Sequence, residues 1–369
     1  MKKVLLTAGP IPARLDSVKF VTNRFKGGLA ARTAAALSGS FDVEVVKWRY
    51  AQLDLPAGIA VRDVDDVLSY REAVLASDAD AFVLAAGVAN LMPVSPWKGK
   101  FPSHDYKPGE EFPIQFAIAP RIIDDVKKVR PRSTLIGYKL FDGSEEELIR
   151  AGFHTMRSSR ANVVFCNHPA TAKSEKIALT ADGARIGMTF DEHVDFIRRT
   201  VWLEWYRTYV VRTGVVRDAA AYARMDRVLE RVKKAAFTSG ELSFGTLAMR
   251  VGTGFMTTTR GKRDRGVCQV FSVDPGSRTV YADAKATMNA PMLNRLLTEF
   301  PEAWFVLHAH GRIPGLSPGT VHPYAFPGTT EEDRIPASRV LSVDHHGYYA
   351  VLDNEEHLDA WLRARHPQG

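Results

Sequence analysis

Cysteine is scarce: Cys166 and Cys268 are the two in 369 residues. A disulfide framework is excluded, and a reducing, cytoplasmic setting is expected. Neither thiol has companions at metal-ligand spacing, so both read as small buried hydrophobes. Long apolar runs are missing too. None approaches the roughly 20 residues of a membrane span, and Met1-Lys2-Lys3 leads into a short strand rather than a signal-peptide core, so no membrane partner is expected. Zinc-finger spacing and an aromatic-rich basic stripe are also absent. The formal charge of +7 is spread along the chain, which favours small anionic ligands and gives no footprint for nucleic acid. No internal repeat or low-complexity segment interrupts the pattern.

With 45% hydrophobic and 25% charged residues, the chain has ordinary globular composition and the length of two domains. Its first stretch is the most informative. An apolar run from Val4 gives way at Gly9 to a Pro-punctuated loop, and Gly27-Gly28 opens an alanine-rich helix over 29–37. Backbone N–H groups, the helix dipole, Arg24 and Lys26 could there converge on a phosphate. A plain first βα unit gives the same pattern, and neither G-x-G-x-x-G nor G-x-x-x-x-G-K-[ST] is present to separate the two.

Alternation continues behind it. The spacing predicts strands over 42–48, 81–86, 134–138 and 163–166, and helices over 63–77 and 120–129, with a capping box at Ser144-Glu145-Glu146-Glu147 opening another. The Pro-rich connection from Gly87 to Pro113 is long enough to be functional or mobile. Repeated βα units imply an α/β domain with a Rossmann-like doubly wound sheet, with Gly9, Asn23, Asn90 and Asn167 near the carboxyl ends of its strands. Residues 1–188 form this domain in the prediction, and 189–218 a helical linker opened by a capping box at Thr189. The third part, 219–369, is an α/β domain whose short strands in hairpin spacing suggest a largely antiparallel sheet.

The histidines of the last part stand out. His308 and His310, at i and i+2 on a strand, share one face and are near enough to bind one ion. His345-His346, at the end of another predicted strand, and His322, in the loop between, offer a third imidazole, and three ligands with an open position make a catalytic metal site. Polar strand-end histidines arising by chance give the same spacing.

The first half resembles phosphopantothenoylcysteine synthetase, which uses CTP to activate a carboxylate as an acyl-cytidylate and joins it to cysteine. Its ordered motifs are matched by Leu6-Thr7-Ala8-Gly9, Asp16, Val18-Lys19-Phe20-Val21-Thr22-Asn23-Arg24, Gly27-Gly28, Ala85-Ala86-Gly87-Val88-Ala89-Asn90, Lys98-Gly99-Lys100, Ala119-Pro120-Arg121-Ile122 and Cys166-Asn167-His168. The resemblance implies CTP or another cytidine nucleotide, with Mg²⁺, bound around Gly9, Asn23, Arg24, Gly27, Gly28, Asn90, Lys98 and Asn167, with Asn23 catalytic. Phe25 and Lys26 replace two family serines, Ser159 a lysine, and Asn90 and Asn162 two aspartates.

The second half resembles the class II aldolase/adducin family. Phe237-Thr238-Ser239-Gly240-Glu241-Leu242-Ser243 matches S-G-N-I-S, Phe255 to Gly261 matches F-L-I-T-P-S-G, Pro291 and Pro301 keep the P-x9-P spacing, and His308-Ala309-His310 and His346-Gly347 match H-T-H and H-G. The resemblance implies a divalent metal, zinc foremost, on His308, His310 and His346. It also implies lyase, epimerase or dehydratase chemistry on a polyol, sugar or keto-acid, with Asn289 and Tyr324 at the positions of two family carboxylates. Glu241 and Arg260 replace the residues that cradle a phosphate. Both families imply a homo-oligomer. The expectation is a two-domain enzyme with a ligase-like and a metal-dependent lyase-like part; the alternative is a CTP-dependent carboxylate–amine ligase whose second domain is a structural or oligomerisation module.

Overall fold

The computed structural model describes residues 1–172, 174–214, 218–238, 243–260, 266–311 and 321–365. The chain divides into two compact units, Met1–Trp202 and Leu203–Gly369. Among the described residues, no helix is long and apolar enough to cross a membrane.

The first unit is built on an eight-stranded sheet. Six strands run parallel, in the spatial order Ala60–Val64, Asp42–Trp48, Lys3–Ala8, Ala81–Leu84, Thr134–Leu140, Val163–Asn167. In chain order this is 3-2-1-4-5-6, the doubly wound arrangement. The near-continuous apolar runs follow from burial on both faces. Leu5, Phe82, Leu135 and Val164 pack under the helices Val67–Ala76, Ile123–Val129 and Glu145–Ser159. The opposite face carries Gly28–Ser38 and Phe190–Trp202.

Three predictions for this unit differ from the structure. Residues 63–77 are not one helix: Ala60–Val64 is the edge strand, and Asp66 caps Val67–Ala76 by accepting from Leu68 N and Ser69 N. The parallel strand Val163–Asn167 does not close the sheet, because Lys176–Thr180 and Arg185–Met188 extend it antiparallel. The segment 189–218 is not a helical linker. Its helix, Phe190–Trp202, buries Val194, Phe196, Ile197 and Val201 in the first unit, and Arg207–Val210 is a strand of the second. Amphipathic spacing signals a buried face without saying which domain supplies the cover.

The second unit has a nine-stranded sheet in the order Arg207–Val210, Thr279–Ala282, Val267–Asp274, Gly254–Thr258, Ser243–Val251, Phe305–His310, Gly347–Leu352, Val340–Val343, Val321–His322. Pairing is antiparallel except at its two ends. Side chains alternate between two cores. Leu247, Met249, Phe305 and Leu307 meet Met225, Val228, Leu229 and Val232 of Ala219–Thr238. Ala248, Val306 and Tyr349 meet Met292, Leu293 and Leu296 of Ala290–Glu299. By the same period, His308 and His310 share the face of Val306, the layer of the helix that Asn289 opens. Residues 239–242 and Gly261 of the aldolase-like motifs lie outside the described residues.

Candidate functional site

In this strand order the chain leaves in opposite directions from Lys3–Ala8 and Ala81–Leu84, which opens a crevice at their carboxyl ends. Gly9 and Gly27 meet there. Both have left-handed backbone, φ 75° and 79°, and a Cβ on Gly27 would lie 2.6 Å from Gly9 N and 2.8 Å from the Leu53 side chain. Only glycine fits that approach. Gly87 N donates to Gly9 O at 3.0 Å, and a Cβ on Gly87 would lie 2.7 Å from Asn23 Oδ1. Gly27, Gly9, Gly87 and Asn23 thus follow one another in a chain of close approaches. Gly27 is the N-cap of Gly28–Ser38, whose first turn has no side-chain cap and no acidic residue. A helix start of this kind, with Arg24 and Lys26 exposed just ahead of it in the chain, suits an anion.

Asp16 builds the neighbouring wall, a role the sequence left unassigned. Its fully buried carboxylate accepts from Val18 N and Lys19 N at 2.6 Å, from Lys19 Nζ at 2.9 Å and from Phe101 N at 3.0 Å. Burial alone would raise its pKa, but the Phe101, Val18 and Lys19 donors pull it well below the usual carboxylate range. Two more bonds, Ser17 N to Gly99 O and Trp97 N to Leu15 O, tie the 97–101 segment to the same turn. The long loop has its own small core, in which Trp97, Phe101, Tyr106 and Phe112 pack ring to ring at 4.9 to 5.5 Å. Lys98 is exposed and lines a cavity of about 340 Å³ with Arg14, Ser17, Asp66 and Trp97. None of Gly9, Asn23, Gly27 and Gly87 lines that cavity.

The remaining positions are spread more widely. Asn90 is exposed and holds Ala119 N through its carbonyl. Asn167 ends its strand with Oδ1 buried and without a partner; two strands lie between its strand and that of Gly9, a separation of about 14 Å at ordinary strand spacing. Where the family resemblance places a lysine, Ser159 is buried and bonds Thr155 O and Ala161 N, so it closes a helix rather than meeting a ligand. Asn162 likewise accepts from Leu135 N across the sheet.

In the second unit the three histidines come together. Pairing sets His308 opposite Tyr349, and the left-handed His345, φ 57°, turns the hairpin that carries His346. Ring centroids lie 4.9 Å apart for His308 and His310, 4.6 Å for His308 and His346, and 5.5 Å for His310 and His346. His308 Nδ1 donates to Tyr348 O at 2.9 Å, which leaves the lone pair on Nε2. His346 Nε2 meets Tyr349 Oη at 3.2 Å, and that hydroxyl donates to the buried Glu332 at 3.2 Å. Glu332 is the carboxylate of this cluster, and only its place in an acidic run hinted at it. Asn289 begins Ala290–Glu299 with Oδ1 buried and without a partner, and Tyr324 packs edge-on against Phe326.

The donor chemistry suits a divalent ion, but the arrangement does not fit one. The Nε2 edge of His308 faces Gly245, whose Cβ would lie 2.8 Å from it. Among the described residues, no group of three or more His, Cys, Asp and Glu side chains is placed to hold a metal ion.

Comparison with known proteins assigns the first unit. The family model described as DNA/pantothenate metabolism flavoprotein C-terminal domain (DFP) matches residues 1–196. The coenzyme A biosynthesis bifunctional protein CoaBC of Thermococcus kodakarensis is 29% identical over 171 residues, 45% of this chain and 41% of that protein. The protein of the same name in Mycobacterium bovis is 38% identical over 96 residues, 25% of this chain and 23% of that protein. The chain thus matches well under half the length of these relatives. Among solved structures, the DNA/pantothenate metabolism flavoprotein from Streptococcus pneumoniae superposes with a TM-score of 0.47 at 19% identity, covering 55% of this chain and 98% of that one. YgbL of Klebsiella pneumoniae, a candidate aldolase/epimerase/decarboxylase, superposes with a TM-score of 0.31 at 12% identity, covering 41% of this chain and 89% of that one. Neither superposition is close enough to carry a functional reading. Through the unit that holds the Gly9, Gly27 and Gly87 crevice, the chain belongs to the DNA/pantothenate metabolism flavoprotein C-terminal domain family.

Proposed function

We propose that the first unit is a cytidine-nucleotide-dependent carboxylate–amine ligase and that the second unit serves it as a structural or oligomerisation module. The observation that supports this most is the glycine-lined crevice at the switch point of a chain in this family. In the reaction a carboxylate oxygen attacks the α-phosphorus of CTP and pyrophosphate leaves. An amine then adds to the acyl carbon, loses a proton and expels CMP. The N–H groups ahead of Gly28–Ser38, with Arg24 and Lys26, hold phosphate oxygens in this reading. Asn23, pressed against Gly87, orients the reacting carboxyl group, and Lys98 faces the substrate from the Asp16-anchored wall. Mg²⁺ accompanies the nucleotide and neutralises part of its phosphate charge. A phosphorylated pantothenate-like acid and cysteine are the substrates to try first, and the setting is cytoplasmic.

The test is release of pyrophosphate by the purified chain. Release should require CTP and the carboxylate together, and product should require the amine. Calorimetry showing no binding of CTP, ATP or CMP would sink the reading.

A second reading, a divalent-metal-dependent lyase or epimerase in the second unit, is favoured by the grouping of His308, His310 and His346. It requires His308 to turn away from Gly245. Metal analysis of the purified protein decides it: a chain with no bound metal, and an activity indifferent to chelation, rules it out.

A further inference from the structure

Lys176 is a buried cation without a counter-charge. It opens the antiparallel strand Lys176–Thr180 and is 2% exposed. Among the described residues its Nζ has one partner, Ala172 O at 2.7 Å, and no carboxylate pairs with it. An ammonium carries three N–H donors, and burying its charge is costly unless an anion answers it. The charge it does feel has the same sign: burial, and then the Arg32 guanidinium, lower the Lys176 pKa to about 8.

Strand register shows what surrounds it. Cys166 lies opposite Ile177, so Lys176 stands level with Asn167, the last residue of Val163–Asn167. Cys166 and Ile177 pack into the core beneath Glu145–Ser159. Alternation turns the next pair, Asn167 and Lys176, to the other face, under Gly28–Ser38 and Phe190–Trp202. Arg32 comes from the first of these helices, and His193, whose imidazole Lys176 helps to keep neutral, from the second. The Arg32 side chain is exposed and its guanidinium lies 4.1 Å from the centre of the Phe190 ring; among the described residues no carboxylate pairs with it either. Asn167 is 7% exposed, and its Oδ1 has no partner. Two cations without anions and an amide without a partner thus share one face at the carboxyl edge of the sheet.

We propose that Lys176, Asn167 and Arg32 form a second anion site, separate from the Gly27 helix start, which takes a phosphate or pyrophosphate group. Lys176 supplies the buried charge and Arg32 a planar set of donors at the rim. The Asn167 amide, turned over, offers two more N–H groups. One oxyanion there answers all three side chains and gives Lys176 the counter-charge it lacks. Two sources offer this chemistry: the polyphosphate end of a nucleotide held in the crevice, about 14 Å away across the sheet, or a phosphorylated ligand that binds by itself. The site does not rest on the nucleotide reading, although the first source does.

Isothermal titration of the full chain with pyrophosphate tests it. The wild type should bind below about 1 mM, and Lys176→Met, which keeps the apolar stem, should weaken binding about tenfold, the loss of one charge-assisted contact. If Lys176→Met does not fold, Arg32→Gln, a substitution at an exposed position, decides the matter by a change in the same direction. A titration with CTP present separates the sources. Pyrophosphate displaced by CTP and not by CMP marks the polyphosphate end, and pyrophosphate that binds alongside CTP marks an independent ligand. CMP lacks the two outer phosphates and reports on the crevice alone, so the nucleotide reading and this one fail separately. A wild type that does not bind pyrophosphate, or folded variants that bind it as the wild type does, would overturn the proposal.

Discussion

Acid should loosen the first unit through one buried imidazole. His193, on Phe190–Trp202, is fully buried. Its Nε2 meets Tyr138 Oη at 2.6 Å, and the Phe165 ring lies 4.4 Å away. Burial, and then the nearby Lys176, hold its pKa down at about 3, against about 6.5 in an unfolded chain. Burial also pushes the Tyr138 phenol far above its ordinary range, so that group stays protonated. The folded imidazole is thus neutral from neutrality down to about pH 3, whereas the unfolded one gains its proton near pH 6.5. The native state therefore loses stability as pH falls through that window, by about 1.4 kcal/mol per pH unit once below 6.5. Between pH 7 and pH 4.5 the loss from this residue is about 2.5 kcal/mol. The assay is urea unfolding followed by circular dichroism at both pH values, for wild type and His193→Leu. Other titrating groups cancel in the double difference, which should be about 2.5 kcal/mol. A variant that loses as much stability on acidification as the wild type would refute the reasoning.

Gly27→Ala should destabilise the first unit by about 2–4 kcal/mol and abolish nucleotide binding, since a Cβ meets Gly9 in a left-handed conformation. Gly28→Ala has open space and should be tolerated; equal effects in thermal melts would contradict the packing described. Gly245→Ala should lower the melting temperature of the second unit, because the new methyl group strikes the His308 ring; an unchanged melt would mean that the ring gives way freely. Cys166 and Cys268, buried and with pKa pushed up to about 12, should react with a thiol reagent only after unfolding, as absorbance will show. Asp16→Asn should raise hydrogen exchange across 97–115 while leaving Gly28–Ser38 unchanged, as mass spectrometry can resolve.

Much of this fold can be read from local pattern. The capping boxes at Ser144 and Thr189 form with both reciprocal bonds, because their geometry lies within four residues. Buried parallel strands such as Ala81–Leu84 are visible as unbroken apolar runs. What local pattern misses depends on distant partners. Ala60–Val64 is almost wholly exposed, so its sequence carries no strand alternation, and only pairing with Asp42–Trp48 makes it one. Arg185–Met188 is similar, an outer strand fixed by its neighbour. The site divides in the same way. Gly9 and Gly27 announce a turn and a helix start, whereas the bonds from Asp16 to Phe101 and from Tyr349 to Glu332 span 85 and 17 residues and leave no local trace.

The 91–118 excursion departs and returns at a single antiparallel pair, Leu91 opposite Ile118, and is filled by its own four aromatic rings. Its ends are only about 5 Å apart, yet it is fastened between them as well: Met92 packs on the core of the first unit, and residues 97–101 bond to the Leu15–Ser17 turn. A replacement segment would therefore have to supply an N–H at position 101 for the Asp16 carboxylate, an N–H at 97 for Leu15 O and a carbonyl at 99 for Ser17 N.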